Sequence, residues 1–116
     1  MVGCFFSKWN WGRTLPVTLV NCFQVPAGRE EEFLRIFQEV NTYMRAQPGY
    51  LGHKLHRALG PEASFSFVNV VLWESAEHFR ASHGEEFRRM ISRPEWAPFS
   101  SKPGLYEVVH EGAAAK

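Results

Sequence analysis

Net charge is nearly absent from this 116-residue chain: 13 Lys and Arg stand against 12 Asp and Glu, for a formal charge of +1. So even a balance leaves no basic face for a phosphate backbone and no attraction to an anionic membrane; neither nucleic acid nor membrane is an expected partner. Cysteine is scarce too, and Cys4 and Cys22 have neither the number nor the spacing of a metal site or a disulfide framework. A reducing, cytoplasmic setting is the simpler expectation. No apolar run approaches the roughly 20 residues of a membrane span, and the apolar patch near the start is too short for a signal h-region. A glycine-rich phosphate loop, His and carboxylate pairs at metal-binding spacing, and a Ser or Cys in a nucleophile turn are all missing. No conventional cofactor site is expected, and no metal.

Aromatic side chains are what the chain has in excess. They make up 15% of it, with ten Phe and four Trp. Flat rings line pockets well, and with charge excluded as a recognition device a small molecule is the expected ligand. The length suits one domain. Residues 1–15 form an aromatic leader with Phe5, Phe6, Trp9 and Trp11, readable as an arm or a tail; residues 16–111 form the domain; residues 112–116 form a small-residue tail expected to be disordered.

Within the domain, Pro16 to Val25 alternates Val17, Leu19, Asn21, Phe23 and Val25 against Thr18, Val20, Cys22 and Gln24, which predicts a first strand ended by Pro26-Ala27-Gly28. From Arg29 to Gln47, Phe33, Ile36, Phe37, Val40, Tyr43 and Met44 recur at three- and four-residue spacing behind acidic Glu30, Glu31 and Glu32, predicting an amphipathic helix. Pro48-Gly49 ends it. Tyr50 to Ala58 predicts a second strand with Leu51, His53 and Leu55 on one face, and Phe65 to Trp73 a third. Ser75 is a good N-cap for a helical stretch that Gly84 breaks or kinks and that continues through Phe87, Met90 and Ile91. Pro94, Pro98 and Pro103 mark an irregular segment before a last strand over Leu105 to His110.

The order β-α-β-β-α-β is that of the ferredoxin-like α+β fold, an antiparallel sheet with helices on one face. On the third strand Phe67, Asn69, Val71 and Trp73 share one side, and Val68, Val70 and Leu72 the other, so both sides are apolar. One helical layer covers only one of them. A second copy packed against the other gives a homodimer.

Polar groups on these apolar strand faces are the candidate site: Asn21, His53, and Asn69 with Trp73. A buried amide without a partner costs about 1–3 kcal/mol, so each Asn needs a structural partner or a ligand. Two amides facing one hydrophobic cavity would hold a planar, oxygen-bearing ligand through its carbonyl or phenolate oxygens. In a purely structural role, each would instead bond nearby backbone or a buried water. Parity alone does not say whether the strands share one inward face.

The segments Val20-Asn21-Cys22-Phe23-Gln24-Val25-Pro26-Ala27-Gly28, Gln47-Pro48-Gly49-Tyr50, and Phe67-Val68-Asn69-Val70-Val71-Leu72-Trp73-Glu74-Ser75 with Phe79 resemble the antibiotic biosynthesis monooxygenase family of dimeric α+β barrels. Within it, Asn21, Asn69 and Trp73 match the pattern of the cofactor-independent anthrone oxygenases. That resemblance implies a monooxygenase acting on an anthrone-like or phenolic polycyclic aromatic with molecular oxygen as co-substrate and no cofactor. It makes Asn21, Asn69 and Trp73 the catalytic set, with Phe23, Phe37 and Phe67 as water-excluding walls and Arg93 at the rim. His53 is a candidate proton acceptor or substrate contact, since imidazole titrates near neutrality. The haem-degrading branch of the same superfamily is the runner-up. It needs an axial His after the strand-three Trp; His78 and His83 come too early to match, and Arg89, Met90 and Ile91 hold the expected positions. The scaffold is also compatible with a small-molecule isomerase and with a non-catalytic dimeric binding module.

Overall fold

The computed structural model describes residues 15–115; the expected leader falls outside them except for Leu15, as does Lys116. Its elements are β1 (Val17–Gln24), α1 (Glu30–Met44), β2 (Tyr50–Arg57), β3 (Phe67–Trp73), α2 (Ala76–Ser82), α3 (Glu85–Ile91), a 3-10 turn (Pro94–Trp96) and β4 (Ser100–Tyr106). The strands form an antiparallel sheet in the order β2-β3-β1-β4, the ferredoxin-like arrangement expected from the element order.

α1 begins at three glutamates that complement the helix dipole, and its buried stripe is Phe33, Ile36, Phe37, Val40 and Met44. That stripe lies against the sheet face carrying Leu19, Phe23, Phe67, Val71 and Trp73. Phe33 is fully buried, with its ring 5.0 Å from Phe23 and 4.9 Å from Phe67. Burying such a ring contributes about 1.5–3 kcal/mol. After β3, Ser75 caps α2 by accepting the His78 amide at 3.1 Å, and α3 begins directly after Gly84, so the helical stretch is broken there as its glycine predicts.

Two expectations change. The β2 register steps from Tyr50 opposite Trp73 to Gly52 opposite Leu72, so Leu51 is the extra residue of a β-bulge. Gly52 takes a φ of 153° there. Leu51 therefore leaves the face of His53 and Leu55 and is 50% exposed, while Tyr50 turns inward beside Trp73. The last strand runs over Ser100–Tyr106 rather than Leu105 to His110, because β4 is an edge strand, where Pro103 is tolerated. Residues 107–115, including the described part of the tail, have no regular secondary structure.

The other sheet face carries Thr18, Val20, Cys22, Val68 and Val70, half-buried, and Leu72, which is 43% exposed. α1 packs on the opposite side of the sheet.

Candidate active site

Between the sheet and its helices lies a cavity of about 440 Å³, within the range of sites for small organic ligands. β1 and β3 form its floor through Leu19, Asn21, Phe23, Asn69, Val71 and Trp73. α1 contributes Phe37, Val40, Asn41 and Met44. Phe79, His83, Phe87 and Ile91 close the side formed by α2 and α3, and Arg93, Trp96 and Phe99 come from the segment that follows. The wall is mostly hydrocarbon and aromatic, with a few polar groups set into it.

Asn21 and Asn69 are directly opposed in the β1–β3 ladder. Opposed residues on one face bring their Cβ atoms to about 4.5–5.5 Å, so the two amides form a pair. Asn69 is 8% exposed, and His53 Nδ1 lies 3.0 Å from its Oδ1. An amide oxygen only accepts, so the imidazole N–H donates, and the Asn69 NH₂ is left to face the cavity. Asn21 Oδ1, Trp73 Nε1 and Trp96 Nε1 are buried without a hydrogen-bond partner among the described residues. Each such atom costs about 1–3 kcal/mol, which an oxygen- or N–H-bearing ligand would recover. Trp73 itself is fully buried, edge-on to Tyr50 at 5.3 Å.

The remaining candidates divide. Phe23 and Phe37 line the cavity, but Phe67 does not: it is 3% exposed and covered by Phe33. His53 also stands off the cavity wall, behind Asn69, because the β2 bulge seats it against β3. Arg93 lines the cavity, yet its guanidinium binds Glu39 of α1 at 2.8 Å and Glu95 at 3.4 Å. Those carboxylates hold its pKa up, and in return the Arg93 hydrogen bond holds the Glu39 carboxyl below the usual carboxylate range.

Three polar lining groups do not stand out in the sequence. Tyr50 donates its hydroxyl to Asn41 Oδ1 at 3.2 Å, and burial raises its pKa, so the phenol stays neutral. Trp96 presents an indole. His83, expected from the sequence to come too early in the chain for an axial iron ligand, nevertheless lies on the cavity wall with its ring 5.9 Å from Trp73, 4.1 Å from Phe79 and 4.5 Å from Phe87. The signal that could have found it is the spacing: Phe79, His83 and Phe87 are four residues apart, which in an unbroken helix would put them on one face, and the break at Gly84 leaves their rings in contact.

An antiparallel α+β sheet holding an apolar, amide-bearing cavity under one layer of helices defines the class. Residues 16–93 match the model of the antibiotic biosynthesis monooxygenase family, and the chain belongs to that family. Deoxynogalonate monooxygenase of Streptomyces nogalater is 31% identical over 85 residues, 73% of this chain and 63% of that protein. A mycobilin-producing haem oxygenase of Mycobacterium tuberculosis is 37% identical over 67 residues, 58% of this chain and 62% of that protein. The chain thus spans a little under two thirds of the length of these curated relatives. The crystal structure of SnoaB, a cofactor-independent oxygenase from Streptomyces nogalater, superposes with a TM-score of 0.70 at 26% identity, over 84% of this chain and 97% of that one. Both a cofactor-independent oxygenase and a haem oxygenase thus stand among this chain's relatives.

Proposed function

We propose that this chain is a cofactor-free monooxygenase that oxidises an anthrone-like or phenolic polycyclic aromatic with O₂ to a quinone. The observation that carries this reading is the opposed Asn21–Asn69 pair set into an aromatic cavity. An anthrone that loses a proton from its methylene carbon becomes a delocalised enolate, electron-rich enough to reduce O₂ itself. The protein's part is to hold the oxyanion and exclude water. The Asn69 NH₂, aimed by His53, and the Asn21 amide donate to that oxygen. Trp73 orients the ring system through its face and its unpartnered Nε1, and Phe23 and Phe37 keep the cavity dry. The carbanion adds O₂ to give a peroxide, which loses water as the second carbonyl forms, so anthrone and O₂ give quinone and water. Metal-free protein incubated in air with dithranol or a tetracyclic anthrone should consume oxygen and form quinone. Uptake no faster than the uncatalysed rate across several anthrones would overturn the reading.

A second reading, haem degradation, is favoured by the mycobacterial relative. Of the residues on the helix side of the cavity, Phe87 and Ile91 cannot ligate iron, whereas His83, whose Nδ1 is bound to the Phe79 carbonyl and Ser82, has an Nε2 that is free among the described residues and could hold a haem iron. Hemin titration separates the two readings: the oxygenase reading expects no stable Soret shift, and a 1:1 complex that bleaches with reductant would reverse the ranking.

The same proposal includes a homodimer through the sheet face of Val20, Val68, Val70 and Leu72. Sedimentation at micromolar concentration should give twice the chain mass, and Val70→Asp should give a monomer.

A further inference from the structure

The oxygenase reading leaves open which group takes the substrate's proton, and the cavity offers few. Tyr50 is a neutral phenol whose hydroxyl is spent on Asn41. Arg93 is a cation paired with Glu39 and Glu95, and His53 has its Nδ1 committed to Asn69 and stands off the wall. His83 differs. Its Nδ1 lies 2.7 Å from the Phe79 carbonyl oxygen and 2.9 Å from Ser82 Oγ, while Ser82 gives its own proton to the same carbonyl at 2.8 Å. Both neighbours therefore accept from Nδ1, which must carry the hydrogen, and the lone pair falls on Nε2. Nε2 has no hydrogen-bond partner among the described residues, in a side chain on the cavity wall.

We propose, resting on the oxygenase reading, that His83 is the general base of this site: Nε2 accepts the methylene proton while Asn21 and Asn69 hold the oxygen that takes up the charge. The C–H bond breaks, its electron pair passes into the enolate, and the proton goes to Nε2 to give an imidazolium. After the enolate adds O₂, the imidazolium returns that proton to the peroxide. The neutral imidazole then removes the second proton from the same carbon as the carbonyl forms, the O–O bond breaks and hydroxide departs; the imidazolium gives its proton to that hydroxide, so water leaves and the base is neutral again. Ser82 and the Phe79 carbonyl are positioning groups, holding the tautomer in which Nε2 is the acceptor.

Burial among Trp73, Phe79 and Phe87 lowers the His83 pKa, opposed only by the Phe79 carbonyl, so the base is neutral at neutral pH. The charged groups around it are few. Arg88 of α3 reaches the His83 backbone carbonyl at 3.3 Å, and Tyr50 and Arg93 are the other titratable groups on the cavity wall.

The test separates proton removal from oxygenation. Dithranol in D₂O under nitrogen reports deprotonation as loss of its methylene signal by NMR, and the same mixture in air reports oxygen uptake. His83→Gln keeps a hydrogen-bonding group, and His83→Phe keeps a ring for Phe79 and Phe87 to pack on, so one of the two should fold. The folded variant should exchange about 10²-fold more slowly than the wild type, the low end for a lost general base. It should also lose the acid limb of kcat/KM, which in the wild type falls below the ordinary histidine pKa. Ser82→Ala should shift that limb with a smaller loss of rate. Exchange within twofold of the wild type with the limb unchanged overturns the proposal while leaving the oxygenase reading in place. Wild-type exchange that depends on His83 without oxygen uptake sustains the base and overturns the oxygenase reading. Neither exchange nor uptake in the wild type overturns both.

Discussion

The cavity's two sides hold their polar groups by different means. On the strand side, Asn21 and Asn69 are fixed by ladder register, each flanked by backbone hydrogen bonds to neighbouring strands, and His53 pins one of them from the next strand. On the helix side, His83 caps the C-terminus of a seven-residue helix and is followed by Gly84 and a second seven-residue helix. Helices that short are not stable alone, so His83 depends on Phe79, Phe87 and Trp73 for its place. A rigid floor suits groups that must meet a developing oxyanion in one geometry. A wall built from short packed helices suits a base that must exchange a proton with a substrate entering and leaving beside it.

The largest expected effect tests whether the two sides are one unit. Trp73 ends β3 and touches Tyr50, Phe79 and His83, so Trp73→Ala should lower stability by about 3–5 kcal/mol in urea unfolding. A loss under about 1 kcal/mol would mean that the helix wall does not lean on the strand floor. Next comes Asn69→Ala, which should cut oxygen uptake by about 10²–10³-fold, as for removal of one oxyanion donor, with little change in melting temperature. His53→Phe should cost less, about tenfold, because it frees the Asn69 amide to rotate without removing it. Equal losses for these two variants would make His53, not Asn69, the group that meets substrate.

On the helix side, pH does what mutation does on the strands. His83 has a folded pKa below its unfolded value of about 6.5, so below that pH the unfolded chain binds a proton that the folded chain resists. Stability should fall as pH drops from there toward the lowered folded value, and His83→Gln should flatten that stretch of the curve in thermal melts at stepped pH. The smallest effect belongs to the rim. Glu39 has a lowered pKa, so its pairing with Arg93 contributes above the usual carboxylate range and is lost as pH falls through the lowered value. Glu39→Gln should lower the melting temperature slightly at neutral pH, with the gap closing in acid.

Much of the strand side is readable in the sequence because a strand has a period of two. Once Phe67, Asn69, Val71 and Trp73 alternate with Val68, Val70 and Leu72, the membership of the two faces is set whatever packs on them. The same logic fails at Leu51, where one inserted residue reverses the parity of everything before it in β2. On the helix side, spacing places Phe79, His83 and Phe87 on one face, but Gly84 breaks the run and hides that they still point together.

The sequence by itself determined the element order, the apolar sheet faces, and the alternation that puts Asn69 on one face of its strand with Phe67, Val71 and Trp73, and Asn21 on one face of its own with Leu19 and Phe23. These are local properties, written in periodicity and composition. Only the tertiary structure decided that Asn21 stands opposite Asn69, that His53 backs an amide instead of meeting the cavity, that Phe33 covers Phe67, that Glu39 pairs with Arg93, and that His83 turns toward the cavity. Each is a meeting of residues far apart in the chain or across a break in an element, and it depends on register and packing, which no single segment encodes.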